Sequence, residues 1–131
     1  MQWVKATIGK DKYKTLVKSD TNMLIADEPK EVGGSDLGFS PDELLASSLA
    51  VCTVVTVRMY ADRKRWNLDG VEVTVTIQWD KEHAQTHMRK EIMLKGDLLP
   101  EERQRLLEIS ERCPTHKMLQ NPIDIKTIAI S

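Results

Sequence analysis

Ser40-Pro41-Asp42-Glu43 is a helix start that constrains everything around it. Ser is an N-cap, Pro fits the first helical position, and Glu three residues after the Ser completes a capping box. The two acids also favour the positive end of the helix dipole. Apolar residues follow from Leu44 to Val57, so the helix is predicted to run to about Lys64 or Trp66, roughly 35–40 Å at 1.5 Å per residue. Its middle, Thr53-Val54-Val55-Thr56-Val57, is β-branched and would favour a strand if isolated. Burial on most sides overrides so weak a propensity. The helix is therefore expected at the centre of the core, with other elements around it.

Those elements are predicted to be strands. Val4, Ala6 and Ile8 alternate with Lys5 and Thr7, Gly9 to Lys12 turns the chain, and Tyr13, Thr15 and Val17 alternate again. Met23-Leu24-Ile25 is a short third strand. Asp27 to Phe39, with Pro29, Gly33, Gly34 and Gly38, is the one long loop. Beyond the helix, Val71, Val73, Val75, Ile77 and Trp79 alternate strictly with polar residues, the period of a half-buried strand. Lys81 to Met88 reads as a hairpin loop and Lys90 to Lys95 as the returning strand. Pro100 starts a second helix that ends near Arg112, with Leu106, Leu107 and Ile109 inward. Cys113-Pro114 starts a short third helix that stops before Asn121-Pro122, and Ile123 to Ile130 is a final strand. The fold class is α+β, one domain over residues 1–131.

Composition excludes several functions. Nineteen basic residues nearly balance 20 acidic ones, so no strong field draws the chain to nucleic acid or to a membrane surface. Aromatic residues are few and scattered, which argues against a stacking platform for single strands. The N-terminus lacks the pattern of a signal peptide, and Leu44 to Val57 is too short and too rich in Ser and Thr to span a bilayer. The expected compartment is the reducing cytosol, where two cysteines are more often thiols than a structural bridge.

Cys52 sits in the middle of the apolar helix, with Ser48 and Thr56 four residues to either side on one face. Alone it reads equally as a small buried hydrophobe. Cys113 precedes Pro114 and so lies at the N-cap of the short helix, where unpaired N–H groups favour a thiolate and Lys117 adds charge nearby. It reads equally as a simple cap. His83 and His87 have a spacing that binds metal on a helix but fall in a predicted loop, so no metal site is expected. Arg63-Lys64-Arg65 reads as a solvated helix end. Thr115 and His116 are expected to face outward, although His116 is near enough to tune Cys113.

The segment from Ser40 through Cys52, together with Cys113-Pro114-Thr115-His116-Lys117-Met118-Leu119, resembles the OsmC/Ohr superfamily of peroxide-reducing proteins. The order of strands, long cysteine helix, strands, second helix and Cys-Pro helix fits as well. The resemblance implies an intertwined homodimer in which the two cysteines of each site are close together. It also implies a chemistry: a Cys52 thiolate attacks a hydroperoxide, Cys113 resolves the sulfenic acid to a disulfide, and an external dithiol restores both thiols without a cofactor. Attack needs a thiolate, and an apolar site would raise the thiol pKa unless a cation offset it. Better-known members use an Arg from the N-terminal strands, paired to an acid at the start of the cysteine helix. Here no Arg precedes Arg58, leaving Lys10, Lys12, Lys14 or Lys18 to supply charge. The family's acid falls on Asp42, with Glu43 beside it. Asp42 lies about 15 Å along the same helix from Cys52, so its role would be across a dimer interface. Glu43 has a competing explanation in the capping box.

The leading expectation is a thiol-dependent reductase of organic hydroperoxides. The alternative is a non-enzymatic member of the fold that binds an apolar ligand or senses redox state. A purely structural domain would instead leave the two cysteines apart and inert.

Overall fold

The computed structural model describes all residues, Met1–Ser131, and the chain packs as two compact units, Met1–Ala46 and Ser47–Ser131. In the first, β1 (Lys5–Thr7), β2 (Thr15–Lys18) and β3 (Met23–Ala26) form an antiparallel sheet in chain order, with Ala6 opposite Val17 and Leu16 opposite Ile25. The loop that follows is organised by Asp27. Its carboxylate accepts hydrogen bonds from the backbone N–H of Tyr13 (3.1 Å), Glu28 (2.7 Å), Ser35 (3.3 Å) and Leu37 (3.2 Å). Burial pushes the Asp27 carboxyl up, and the N–H groups of Glu28, Leu37, Tyr13 and Ser35 outweigh it, leaving the group below its ordinary value. Gly38 lies against Ile25, where a side chain would strike the Ile25 carbonyl, so this return of the loop needs glycine.

Helix α1 (Pro41–Lys64) starts where the sequence says it should. The capping box is present: Ser40 N–H donates to Glu43 Oε1 (2.9 Å) and Glu43 N–H to Ser40 Oγ (3.2 Å). By length and mean hydropathy, 1.6 over its most apolar window, α1 could cross a bilayer. Its buried positions nevertheless form one stripe, Leu49, Thr53, Val57 and Ala61, at the four-residue spacing of a helix face. The expected burial on most sides is not met within one chain. Val51, Val55 and Met59 are exposed, Met59 by 62%.

In the second unit, β4 (Leu68–Asp80) and β5 (Gln85–Gly96) form a long antiparallel hairpin, with Val73 opposite Ile92 and Asp80 opposite Gln85. The connecting turn is shorter than predicted. Only 81–84 turn, and His87 lies on β5 rather than in a loop. Asp80 gathers both histidines, with His83 Nδ1 at 2.7 Å and His87 Nε2 at 3.8 Å. Gly96, at φ +143°, closes the far end, where a side chain would collide with the Asn67 carbonyl.

Helix α2 (Pro100–Ser110) buries Leu106, Ile109 and Ser110, whereas Leu107 faces outward, contrary to expectation. Leu107 is one residue, about 100° of helix, off the inward line through Leu106 and Ile109. Val57, Ala61, Leu68 and Leu106 form the centre of this core, with Tyr60, Trp66, Val71 and Leu94 packed around it. Arginines tie its polar edges: Arg58 donates to the Leu68 carbonyl (2.7 Å), and Arg103 to those of Leu94 (3.0 Å) and Gly96 (2.9 Å). Cys113 then caps α3 (Pro114–Gln120). The predicted strand from Ile123 to Ile130 does not form. That segment pairs with no strand of its own chain, and its isoleucines are exposed, Ile130 by 95%. Alternation alone makes a segment fit for a sheet, and a strand still needs a neighbour to take its N–H and C=O groups.

Candidate active site

Three segments of the second unit meet at the two cysteines. Helix α1 supplies Cys52 and Thr53, on adjoining faces. The α2–α3 junction supplies Cys113, Thr115 and His116, and β5 supplies Lys90. The sequence brings Cys113 here by a local device. Pro114 cannot donate a hydrogen bond and fits the first helical position, so Cys113 becomes the N-cap of α3. Its Sγ accepts from the His116 N–H (3.2 Å), as the oxygen of a Ser cap would. Cys113 is fully buried, while Cys52 is partly open to solvent, and both are free thiols.

The groups that act most on Cys52 within the chain are neutral donors. Burial pushes its thiol up. Hydrogen bonds from the Thr115 hydroxyl, the Thr115 N–H, Cys113 and Thr56 outweigh that cost, and the thiol sits below its ordinary value. Thr115, expected outside, faces inward at the start of α3, where backbone N–H groups are unpaired. Thr56 belongs to the small polar stripe seen in the sequence. Cys113 is among the groups that lower the Cys52 thiol, so the two cysteines share one neighbourhood within the chain.

Around Cys113 lies a second set of partners that the sequence did not reveal. The Thr53 Oγ1 is 3.7 Å from Cys113 Sγ, and its own proton goes to the Leu49 carbonyl (2.7 Å). Lys90 Nζ donates to Thr53 Oγ1 (3.4 Å) and to the Ser110 carbonyl (2.8 Å), in the last turn of α2. The signal that could have found Lys90 is its register. It falls in line with Met88, Ile92 and Leu94 on the inward side of β5, where a lysine is out of place unless it has partners. Thr53 likewise sits on the buried stripe of α1. His116 is also turned inward, its side chain 17% exposed, with Nε2 3.4 Å from Glu111 Oε2. Its Nδ1 is buried without a partner.

Of the predicted acids, Glu43 spends its carboxylate on the capping box, and Asp42 is exposed on the first turn of α1. An open cavity of about 770 Å³ is lined by Leu49, Trp79 and Met88 together with Lys90, Glu111 and His116, and neither cysteine is part of its lining. No group of His, Cys, Asp and Glu side chains is arranged to hold a metal.

The profile of the family described as OsmC-like protein matches residues 33–128, from the organised loop through the Cys-Pro helix. The chain belongs to the OsmC-like family. Solved OsmC-like folds agree over nearly the whole length. An OsmC-like protein from Mycoplasma pneumoniae superposes with a TM-score of 0.76 at 22% identity, covering 92% of this chain and 87% of its own. A protein from Psychrobacter arcticus, described as a putative osmotic stress induced and detoxification response protein, gives 0.77 at 24%, covering 90% and 88%. An organic hydroperoxide resistance protein from Elizabethkingia anophelis gives 0.69 at 21%, covering 92% and 88%. At these identities the likeness establishes the OsmC-like fold. No curated protein sequence matches.

Proposed function

We propose that this OsmC-like protein reduces organic hydroperoxides with Cys52 as the attacking thiolate and Cys113 as the resolving thiol. The observation that carries this reading is a partly open thiol held below its ordinary pKa by the groups around it, the buried Cys113 thiol among them. Accessibility assigns the order, since a substrate reaches Cys52 before Cys113. The thiolate attacks the outer oxygen of R–O–O–H, the O–O bond breaks, and the alkoxide leaves to take a proton from water. Cys52 is left as a sulfenic acid. Cys113 then attacks the Cys52 sulfur, a disulfide forms, and hydroxide departs with the Cys113 proton as water. An external dithiol returns two electrons and two protons by exchange. The apolar residues around Cys52 in the sequence, Leu49 to Val51 and Val54-Val55, suit a substrate with an organic group. A cysteine cycle of this kind belongs in a reducing compartment such as the cytoplasm.

A homodimer is part of this reading. The exposed Val51, Val55 and Met59 on α1, and the isoleucines from Ile123 to Ile130, are apolar surfaces that a second copy would cover. Asp42, left free of the capping box, is the acid available toward such a partner.

A redox sensor using the same pair is the second reading, favoured by the lack of any Arg ahead of the cysteine helix. Mass and thiol counting after one equivalent of cumene hydroperoxide tests the chemistry. The expected result is loss of two hydrogens per chain and of both thiols, with Cys52→Ser inert and Cys113→Ser trapped by dimedone. Two intact thiols after prolonged exposure would refute it. Oxidation without turnover in the presence of a dithiol would favour the sensor.

A further inference from the structure

The hydrogen bonds around Cys113 contain one more constraint. The single hydroxyl proton of Thr53 is used on the Leu49 carbonyl at 2.7 Å, and the Lys90 ammonium is a donor only. The contact between Thr53 Oγ1 and Cys113 Sγ, at 3.7 Å, must therefore take its hydrogen from Cys113. Cys113 has one hydrogen, which the Thr53 oxygen is placed to accept, and the Cys52 thiol is its other neighbour. The Thr53 acceptor is fixed. Thr53 is fully buried, and Lys90 ties its oxygen to the Ser110 carbonyl just before the turn that carries Cys113.

We propose that Thr53 and Lys90 are positioning residues for the second step, disulfide closure, and have no part in the first. This rests on the reading of Cys52 and Cys113 as a working pair. While Cys52 is a thiolate, the Cys113 hydrogen points at it and helps to hold the charge. Oxidation to the sulfenic acid removes that charge, and the hydrogen turns to the waiting Thr53 oxygen. A sulfur lone pair of Cys113 is thereby directed at the Cys52 sulfur. When the S–S bond forms, the S–OH bond breaks and the Cys113 proton leaves with the hydroxide as water. Lys90 keeps the Thr53 oxygen and the Cys113 turn in one frame, so that attack starts from the right place.

The test separates the two steps in Lys90→Met and Thr53→Val, with Lys90→Arg and Thr53→Ser as conservative partners. Met retains most of the lysine stem, and Val retains the threonine shape. After rapid mixing with cumene hydroperoxide, sulfenic acid formation should stay within about twofold of the parent, while disulfide closure slows by about ten- to a hundredfold. Dimedone trapping should rise accordingly, and the conservative variants should recover closure. A parallel series oxidises the pair with diamide, which forms an adduct at Cys52 and is displaced by Cys113 as the hydrazine. This series reads closure without peroxide. A parent that closes with diamide and ignores peroxide would refute the peroxidase reading, and closure in the variants would still judge Lys90 and Thr53. Unchanged closure rates in both Lys90→Met and Thr53→Val, with either oxidant, would overturn the proposal.

Discussion

Replacing Thr115 with valine removes one hydroxyl from the start of α3 and keeps the shape of the side chain. That hydroxyl lowers the Cys52 thiol more than the Thr115 N–H does, and a valine retains the N–H. A hydrogen bond to a charged group contributes about 1.5–3 kcal/mol net. Cys52 is partly open to water, which screens and competes, so about 1 kcal/mol is the appropriate size here. That energy is a factor of about five in thiolate population and hence in rate. The assay is alkylation of Cys52 by iodoacetamide across a pH series, since Cys113 is buried and slow to react. Thr115→Val should react about fivefold more slowly at a pH below the parent's rise, and the rise should move to higher pH. Thr115→Ser, which keeps the hydroxyl, should follow the parent. A valine profile that superimposes on the parent's would refute the claim that neutral donors at α3 activate the thiol.

Leu106→Ala empties a fully buried position at the centre of the second unit and should cost about 2–5 kcal/mol in urea unfolding, whereas Leu107→Ala on the outer face should cost little. Because the Asp27 carboxyl is held below its ordinary value, its contribution to stability is complete above the unfolded value of about 3.9 and is lost as pH falls through the folded one. Urea midpoints measured from neutral pH downward should therefore drop in acid, and Asp27→Asn should be less stable at neutral pH with a flatter acid dependence. Truncation after Gln120 removes the exposed isoleucines and should shift the mass in solution from dimer toward monomer by light scattering; a parent that is already monomeric at micromolar concentration would remove the case for a shared assembly.

How much of this was legible in the sequence depends on the range of the interaction. The capping box, the Cys-Pro cap and the alternation of β4 are local, and they read correctly to within a few residues. The turn after β4 was drawn too long because Gln85, His87 and Arg89 are polar, yet they occupy the exposed face of a strand whose other face holds Met88, Lys90 and Ile92. Ile123 to Ile130 alternates as a strand does, but pairing is not a property of one segment. At the site, both thiols could be named from spacing and resemblance. The donors could not. Whether Thr115 faces in or out depends on where α3 lands against α1, and Lys90 meets Thr53 only because β5 and α2 pack on the same helix face.

The β-branched middle of α1 has a consequence for the life of the chain. Thr53-Val54-Val55-Thr56-Val57 resists forming a helix on its own, and the donor that most favours the Cys52 thiolate comes from Thr115, far downstream in α3. The reactive sulfur is therefore created only once α3, which follows Cys52 by two strands and a helix, has been synthesised and packed. A nascent or unfolded chain carries two ordinary cysteines, slow toward oxidants, and acquires its chemistry only on reaching the native state. Reactivity of Cys52 is thus a direct reporter of folding, readable with a thiol reagent long before any substrate is known.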